Sequence, residues 1–170
     1  MPEAVIFHIS VFDPKLTADQ AAAILGQTRF DQMAVNESII ARAWLLAHWH
    51  ELDRVDFNAN LGNAIELGPE FDATTKRQAA ILSQKRADII AYHGDEATIV
   101  EVKTRLSFSA LGQLLGYQLL FELEHPEIKK VNLVAIGHSA SIDTAEVLQA
   151  HGVHLELFPN VTLMGVGYSS

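Results

Sequence analysis

The sequence predicts a single α/β domain, a mixed central sheet flanked by helices, and three observations carry that prediction. Residues 87–103 read as two short apolar strands joined at His93-Gly-Asp-Glu96, a hairpin and so an antiparallel pair. Beyond them, helical and strand patterns alternate as far as Phe158, and strands joined through helices pair in parallel by right-handed crossovers. The chain has 170 residues, 49% of them hydrophobic, which is enough for one well-buried core and short for two.

Taken in order, residues 4–12 have the pattern of a strand ended by Asp13-Pro14. Thr17 suits the N-cap of a helix over 18–25, with Gly26 at its stop. Residues 1–33 thus form an N-terminal strand and helix without evident chemistry, and His8 reads as a strand residue. Asn36 is placed to cap a helix continuing to His50, with Ile40, Ala43, Trp44 and Ala47 as its core face. His48 and His50 flank Trp49 and point different ways around that helix, so they cannot hold one ion together. Residues 55–67 read as an irregular strand turning at Gly62-Asn63, and 72–85 as a polar loop with a short helix.

After the hairpin, Ser107 or Ser109 is expected to cap a helix reaching Glu124, on which Leu111, Leu114, Leu115, Gln118, Leu119 and Glu122 trace a mixed face. Its Gly112 and Gly116 suit a close approach to another element, although the helix is too polar for a membrane-type glycine pair. A strongly apolar strand over 130–136 is closed by Gly137, which puts His138 and Ser139 in a strand-to-helix turn. Ser141 or Asp143 caps a helix over 144–150 stopped by Gly152, and 153–158 make the last strand. Residues 34–158 are therefore the core. The tail, 159–170, has the pattern of an added edge strand or a self-association segment, which allows for a homodimer.

Composition excludes several chemistries. With no cysteine there is no disulfide, zinc-thiolate site or cysteine nucleophile. The first residues lack a signal-peptide pattern, and no apolar run approaches the roughly 20 residues that span a bilayer, so a cytoplasmic protein is expected. Net charge is −9, against general attraction to phosphate backbones. The bases are unevenly spread, however. Lys76, Arg77, Lys85, Arg86, Lys103 and Arg105 outnumber Asp88, Asp95, Glu96 and Glu101 between 74 and 105, leaving that segment +2 and the rest −11. Half of all Lys and Arg lies beside the hairpin.

Within the hairpin, Glu101 and Lys103 stand two apart on one strand and so project to the same face. In-register pairing brings Asp88 of the first strand to the same corner. Flanked by Ile99, Val100 and Val102, these charges belong to an apolar strand, where unpaired charge is costly unless it binds something. Two carboxylates and an ammonium at a sheet edge form a metal-site pattern. Glu37, in the first turn of its helix, is favoured there by the helix dipole alone and can also supply a third carboxylate.

Glu37 on an early helix, Asp88 on one strand, Glu101-Val102-Lys103 on the next, and Gln113 with Tyr117 on the following helix together resemble the PD-(D/E)xK nuclease superfamily. The similar order of elements covers about three quarters of the chain; Ala87 stands where the motif has its proline. The resemblance implies a restriction-endonuclease-like fold and a divalent-metal-dependent nuclease, using Mg2+ or Mn2+, that hydrolyses nucleic acid phosphodiesters, DNA in preference to RNA. It implies that Asp88, Glu101, the Val102 carbonyl and Glu37 hold metal, that Lys103 positions the attacking water, and that Gln113 supports the lysine or contacts the nucleic acid backbone. Lys85, Arg86 and Arg105 would contact phosphates, with Tyr117 a packing or groove-lining residue. No Gly-rich phosphate loop or nucleophile elbow competes, since Gly137 to Ser141 has neither spacing. The alternative is a catalytically inactive nuclease-fold protein serving as a nucleic-acid-binding or assembly subunit, which the acidic net charge favours and the intact Asp88, Glu101 and Lys103 disfavour.

Overall fold

The computed structural model describes residues 16–27, 30 and 33–165. The strand expected over 4–12, with His8, lies outside them. Five strands form one sheet in the order β1-β2-β3-β4-β5. These are β1 (Arg54–Leu61), β2 (Lys85–His93), β3 (Glu96–Leu106), β4 (Lys130–Ala140) and β5 (Val153–Leu157). β1, β2 and β3 are antiparallel neighbours, whereas β3, β4 and β5 run parallel. The sheet is therefore mixed, as the hairpin followed by helix-joined strands requires.

Helices α1 (Ala18–Gln27) and α2 (Val35–His48) cover one face, packing Leu25, Ile40, Trp44 and Leu45 onto Val55, Ile89, Val100, Val102 and Ile136. On the other face α4 (Ser109–Glu124) and α5 (Ile142–Ala150) bury Leu114, Tyr117, Phe121 and Leu148 against Ile90, Ile99, Ala135 and Val153. β3 is central, and its Ile99, Val100 and Val102 are wholly buried between the two layers. α3 (Ala73–Ser83), capped by the Asp72 carboxylate accepting from Thr75 N–H at 2.9 Å, links β1 to β2. That is a longer helix than the polar run suggested.

Several local expectations change. Thr17 does begin α1, through a reciprocal pair: Gln20 N–H donates to Thr17 Oγ1, and Thr17 N–H to Gln20 Oε1. The helix then continues through Gly26 to Gln27. Asn36 does not cap α2; Ala34 holds that position, and the Asn36 amide instead pairs with the Met164 backbone through both its oxygen and its nitrogen. α2 ends at His48, and residues Trp49–Glu51 form a single 3-10 turn. Its buried stripe is Ile40, Ala41, Trp44 and Leu45 rather than one including Ala43 and Ala47, because α1 and the sheet contact it at once. Neither Ser107 nor Ser109 caps α4; their hydroxyls bond each other at 2.8 Å. The α4 core positions are Ala110, Leu114, Tyr117 and Phe121, so Leu115 and Leu119 stand exposed.

Gly137 is no strand terminator. β4 runs on to Ala140, carrying His138 and Ser139 inside it, and a Cβ at Gly137 would lie 2.9 Å from the Lys103 carbonyl oxygen. The glycine is a point of close backbone approach between β4 and β3. Conversely, Gly112 and Gly116 meet no atom of another element among the described residues. Ser141 caps α5 by accepting from Thr144 N–H, and Gly152, at φ +76°, ends it. Residues 158–165 form no strand.

Candidate active site

The register of the hairpin explains the corner. β2 and β3 pair from His93↔Glu96 to Ile89↔Val100, and there the ladder ends. Beyond it, Ala87 to Lys85 pair only with β1, while β3 continues on β4 to Leu106↔Ala140. The two strands part, and the wedge between them leaves the Val102 N–H without a β2 backbone partner. The Asp88 carboxylate takes its place, accepting from Val102 N–H at 2.8 Å. Across β1 from Asp88, between the paired Phe57↔Ile89 and Ala59↔Ala87, Asn58 sits at φ +49°, a left-handed conformation that asparagine tolerates better than most residues.

Four acceptors converge on the Lys103 ammonium. Nζ stands 2.7 Å from Glu101 Oε1, 3.9 Å from Glu37 Oε1 and 3.9 Å from Asp88 Oδ2, and it donates to the Val102 carbonyl at 3.1 Å. Thus Glu37, which sequence places 51 to 66 residues away from the hairpin charges, is brought to them by the N-terminal turn of α2. Glu101 is 1% exposed, and neither of its oxygens has a hydrogen bond of directed geometry; its contact with Lys103 is that of an ion pair. Burial, with the Asp88 charge beside it, raises the Glu101 pKa to about 7. Burial also raises Asp88, opposed by the Val102 N–H and Lys103. The Lys103 pKa is raised as well: burial works against its charge, and the three carboxylates outweigh that cost.

α4 closes the site from the side. Gln113 Nε2 donates to the Tyr117 hydroxyl at 3.3 Å, and Tyr117 is buried, its pKa raised by burial and then by Glu101. Along the same helix a groove of about 630 Å³ is lined by Lys85, Ser109, Gly112, Gln113, Gly116, Tyr117, Leu119 and Leu120. Lys85 and Arg105 are exposed and Arg86 half-buried at this end of the sheet. Of this lining the sequence names Lys85, Gln113 and Tyr117 as site residues; Gly112 and Gly116, expected at a close approach to another element, instead face open space.

The donor set suits a hard cation. It offers carboxylate and carbonyl oxygen, and two buried Glu101 oxygens lack hydrogen bonds. Among the described residues, however, no three His, Cys, Asp or Glu side chains already surround a common metal position.

A second polar cluster lies at the other end of α2. Glu156 of β5 accepts from Trp44 Nε1 at 3.2 Å and meets His48 Nε2 at 3.0 Å, and His154 Nε2 lies 3.5 Å away. His48 Nδ1 faces Glu51 at 3.4 Å. His48 therefore engages two carboxylates, and His50 points to Glu51.

No protein-family model matches the chain, and no curated protein matches it either. It is similar to a chain in a solved structure of an EndoMS–dsDNA2 complex, at 12% identity and a TM-score of 0.42, covering 77% of this chain and 48% of that one. The chain thus spans about half the length of that neighbour. Among the described residues, no helix is long and apolar enough to cross a membrane.

Proposed function

We propose that the protein is a divalent-metal-dependent nuclease of the PD-(D/E)xK type that hydrolyses nucleic acid phosphodiesters, DNA in preference to RNA. One observation carries the reading: three carboxylates from three elements, and the Val102 carbonyl, face a single lysine where β2 and β3 part. A fold that needed only stability would have filled a central strand with apolar side chains, because a buried carboxylate without hydrogen bonds is destabilising.

In this reading Asp88, Glu101, Glu37 and the Val102 carbonyl would hold Mg2+ or Mn2+, which supplies Lewis acidity and a bound water of lowered pKa. Asp88 is oriented by the Val102 N–H, which fixes one oxygen and leaves the other free to bind. Lys103 directs the attacking water and offsets the negative charge that grows on the phosphate oxygens. Gln113 holds the Tyr117 hydroxyl and faces the groove, where Lys85 with Arg86 and Arg105 nearby would contact the phosphate backbone independently of sequence.

The test is cleavage of single-stranded, duplex and branched DNA and RNA with Mg2+ or Mn2+, beside Asp88→Asn and Lys103→Met. Metal-dependent cleavage lost in both variants is expected. Cleavage surviving both would sink the site assignment. Nucleic acid binding without cleavage of any substrate would leave the binding-subunit reading in its place.

A further inference from the structure

We infer that Lys103 is the corner's own cation when no metal is bound, and that its ammonium must withdraw before the surrounding oxygens can hold a divalent ion. The inference rests on the proposed metal site and adds its order of events. Each group assigned to the metal sets an oxygen toward one nitrogen: Glu101 at 2.7 Å, the Val102 carbonyl at 3.1 Å, and Glu37 and Asp88 at 3.9 Å each, the Asp88 oxygen being the one that the Val102 N–H also holds. A hard divalent ion needs oxygens at about 2.0 to 2.6 Å. Glu37 and Asp88 stand beyond that range from the nitrogen, in ion-pair but not hydrogen-bond reach of the ammonium, and among the described residues no three such side chains meet at a metal position.

Charge and geometry agree on this. Glu101 is 1% exposed, and Lys103 Nζ is the cation in contact with it, so the ammonium keeps a buried carboxylate from standing alone. Lys103 also donates to the Val102 carbonyl, engaging an oxygen that a metal would need. Its side chain is 32% exposed, so a path to solvent is open and rotation of its flexible stem can clear the corner without moving β3. Once withdrawn, the same ammonium lies beside the site, free to meet water or phosphate. Lys103 then serves two states: it holds the carboxylates together before loading and acts on the reaction after it.

The expected signature is opposite effects on binding and cleavage. Lys103→Gln keeps a donor for the Val102 carbonyl but removes the charge, and Lys103→Met removes both. In calorimetry with Mn2+, both variants should bind at least about tenfold tighter than the wild type while losing cleavage. Removal of a merely neighbouring like charge would tighten binding too, so a second readout follows the ammonium itself. In 15N-lysine NMR, the Lys103 Nζ signal, assigned through Lys103→Gln, should be protected from exchange in the metal-free protein and lose that protection on saturation with Mg2+. Equal or weaker Mn2+ binding by both variants, or an Nζ signal unchanged at saturating Mg2+, would overturn the inference while Asp88-dependent binding kept the metal site. No Mn2+ binding that Asp88→Asn removes would overturn the metal site and the inference together.

Discussion

The two ends of α2 each bring charge to the sheet, and they do so on opposite terms. At the C-terminal end, Glu156 has a Trp44 N–H donor and His48 within hydrogen-bond distance, and His48 turns its second nitrogen to Glu51. An imidazolium there is also favoured by the helix dipole. At the N-terminal end, Glu37 joins Asp88 and Glu101 around one lysine, and both Glu101 oxygens lack hydrogen bonds. The first cluster is a fastener whose polar groups are satisfied inside the protein. The second leaves its acceptors in excess, the state expected of a site whose remaining partner comes from outside.

The comparison breaks most sharply on Glu101→Gln. It should lower cleavage at least about thousandfold, yet leave the metal-free protein as stable as the wild type or more so by about 1–2 kcal/mol, because it removes a buried, poorly partnered charge. His48→Gln should do the reverse, costing about 1–2 kcal/mol in urea unfolding with cleavage per folded molecule unchanged. Equal losses of stability from the two changes would erase the distinction.

A pH series separates them further. Glu101 is raised in the fold from 4.5 to about 7, so the native state holds its proton over a window where the unfolded chain has released it. Metal-free stability should therefore be greatest at the acid side of that window and fall as pH rises toward about 7. Asp88, raised by burial in the same corner, shares the titration. His48 is raised above 6.5, so its contribution is present below that pH and is lost as pH rises through its folded value. Unfolding across this range should show both losses. Glu101→Gln should flatten the acid part of the slope, and saturating Mg2+, which favours ionised carboxylates, should reverse it.

Two glycines give the smaller effects. Gly137→Ala forces a methyl to 2.9 Å from the Lys103 carbonyl and 3.0 Å from Leu106 Cγ, so β3 must shift. A loss of about 2 kcal/mol in urea unfolding is expected, with reduced cleavage because Lys103 moves with its backbone. Gly112→Ala meets open space and should stabilise α4 by up to about 1 kcal/mol. If the groove beside it carries the substrate backbone, weaker nucleic acid binding should accompany that gain; unchanged binding would remove Gly112 from the path.

Local pattern was a good guide wherever neighbours in sequence decide the outcome. The turn at Gly94-Asp95, the Ser141 cap, the Gly152 stop and the pairing of Gln113 with Tyr117 four residues on all follow from short-range geometry. It failed where distant chain supplies the partner. Asn36 has the chemistry of a cap but spends its amide on Met164, 128 residues away. Gly137 has the look of a stop, but the bare glycine serves the close passage of the Lys103 carbonyl.

The sequence by itself determined the alternation that puts Glu101 and Lys103 on one face, the hairpin that brings Asp88 opposite, and the mixed sheet, because period and turn chemistry are local properties. Only the tertiary structure decided that β2 and β3 part after Ile89↔Val100, that Asp88 fills the gap by accepting from Val102, and that α2 delivers Glu37 to the same ammonium. Those outcomes depend on which surfaces bury each other: β3 stays with β4 while β2 follows β1, and the polar corner is what their divergence leaves behind.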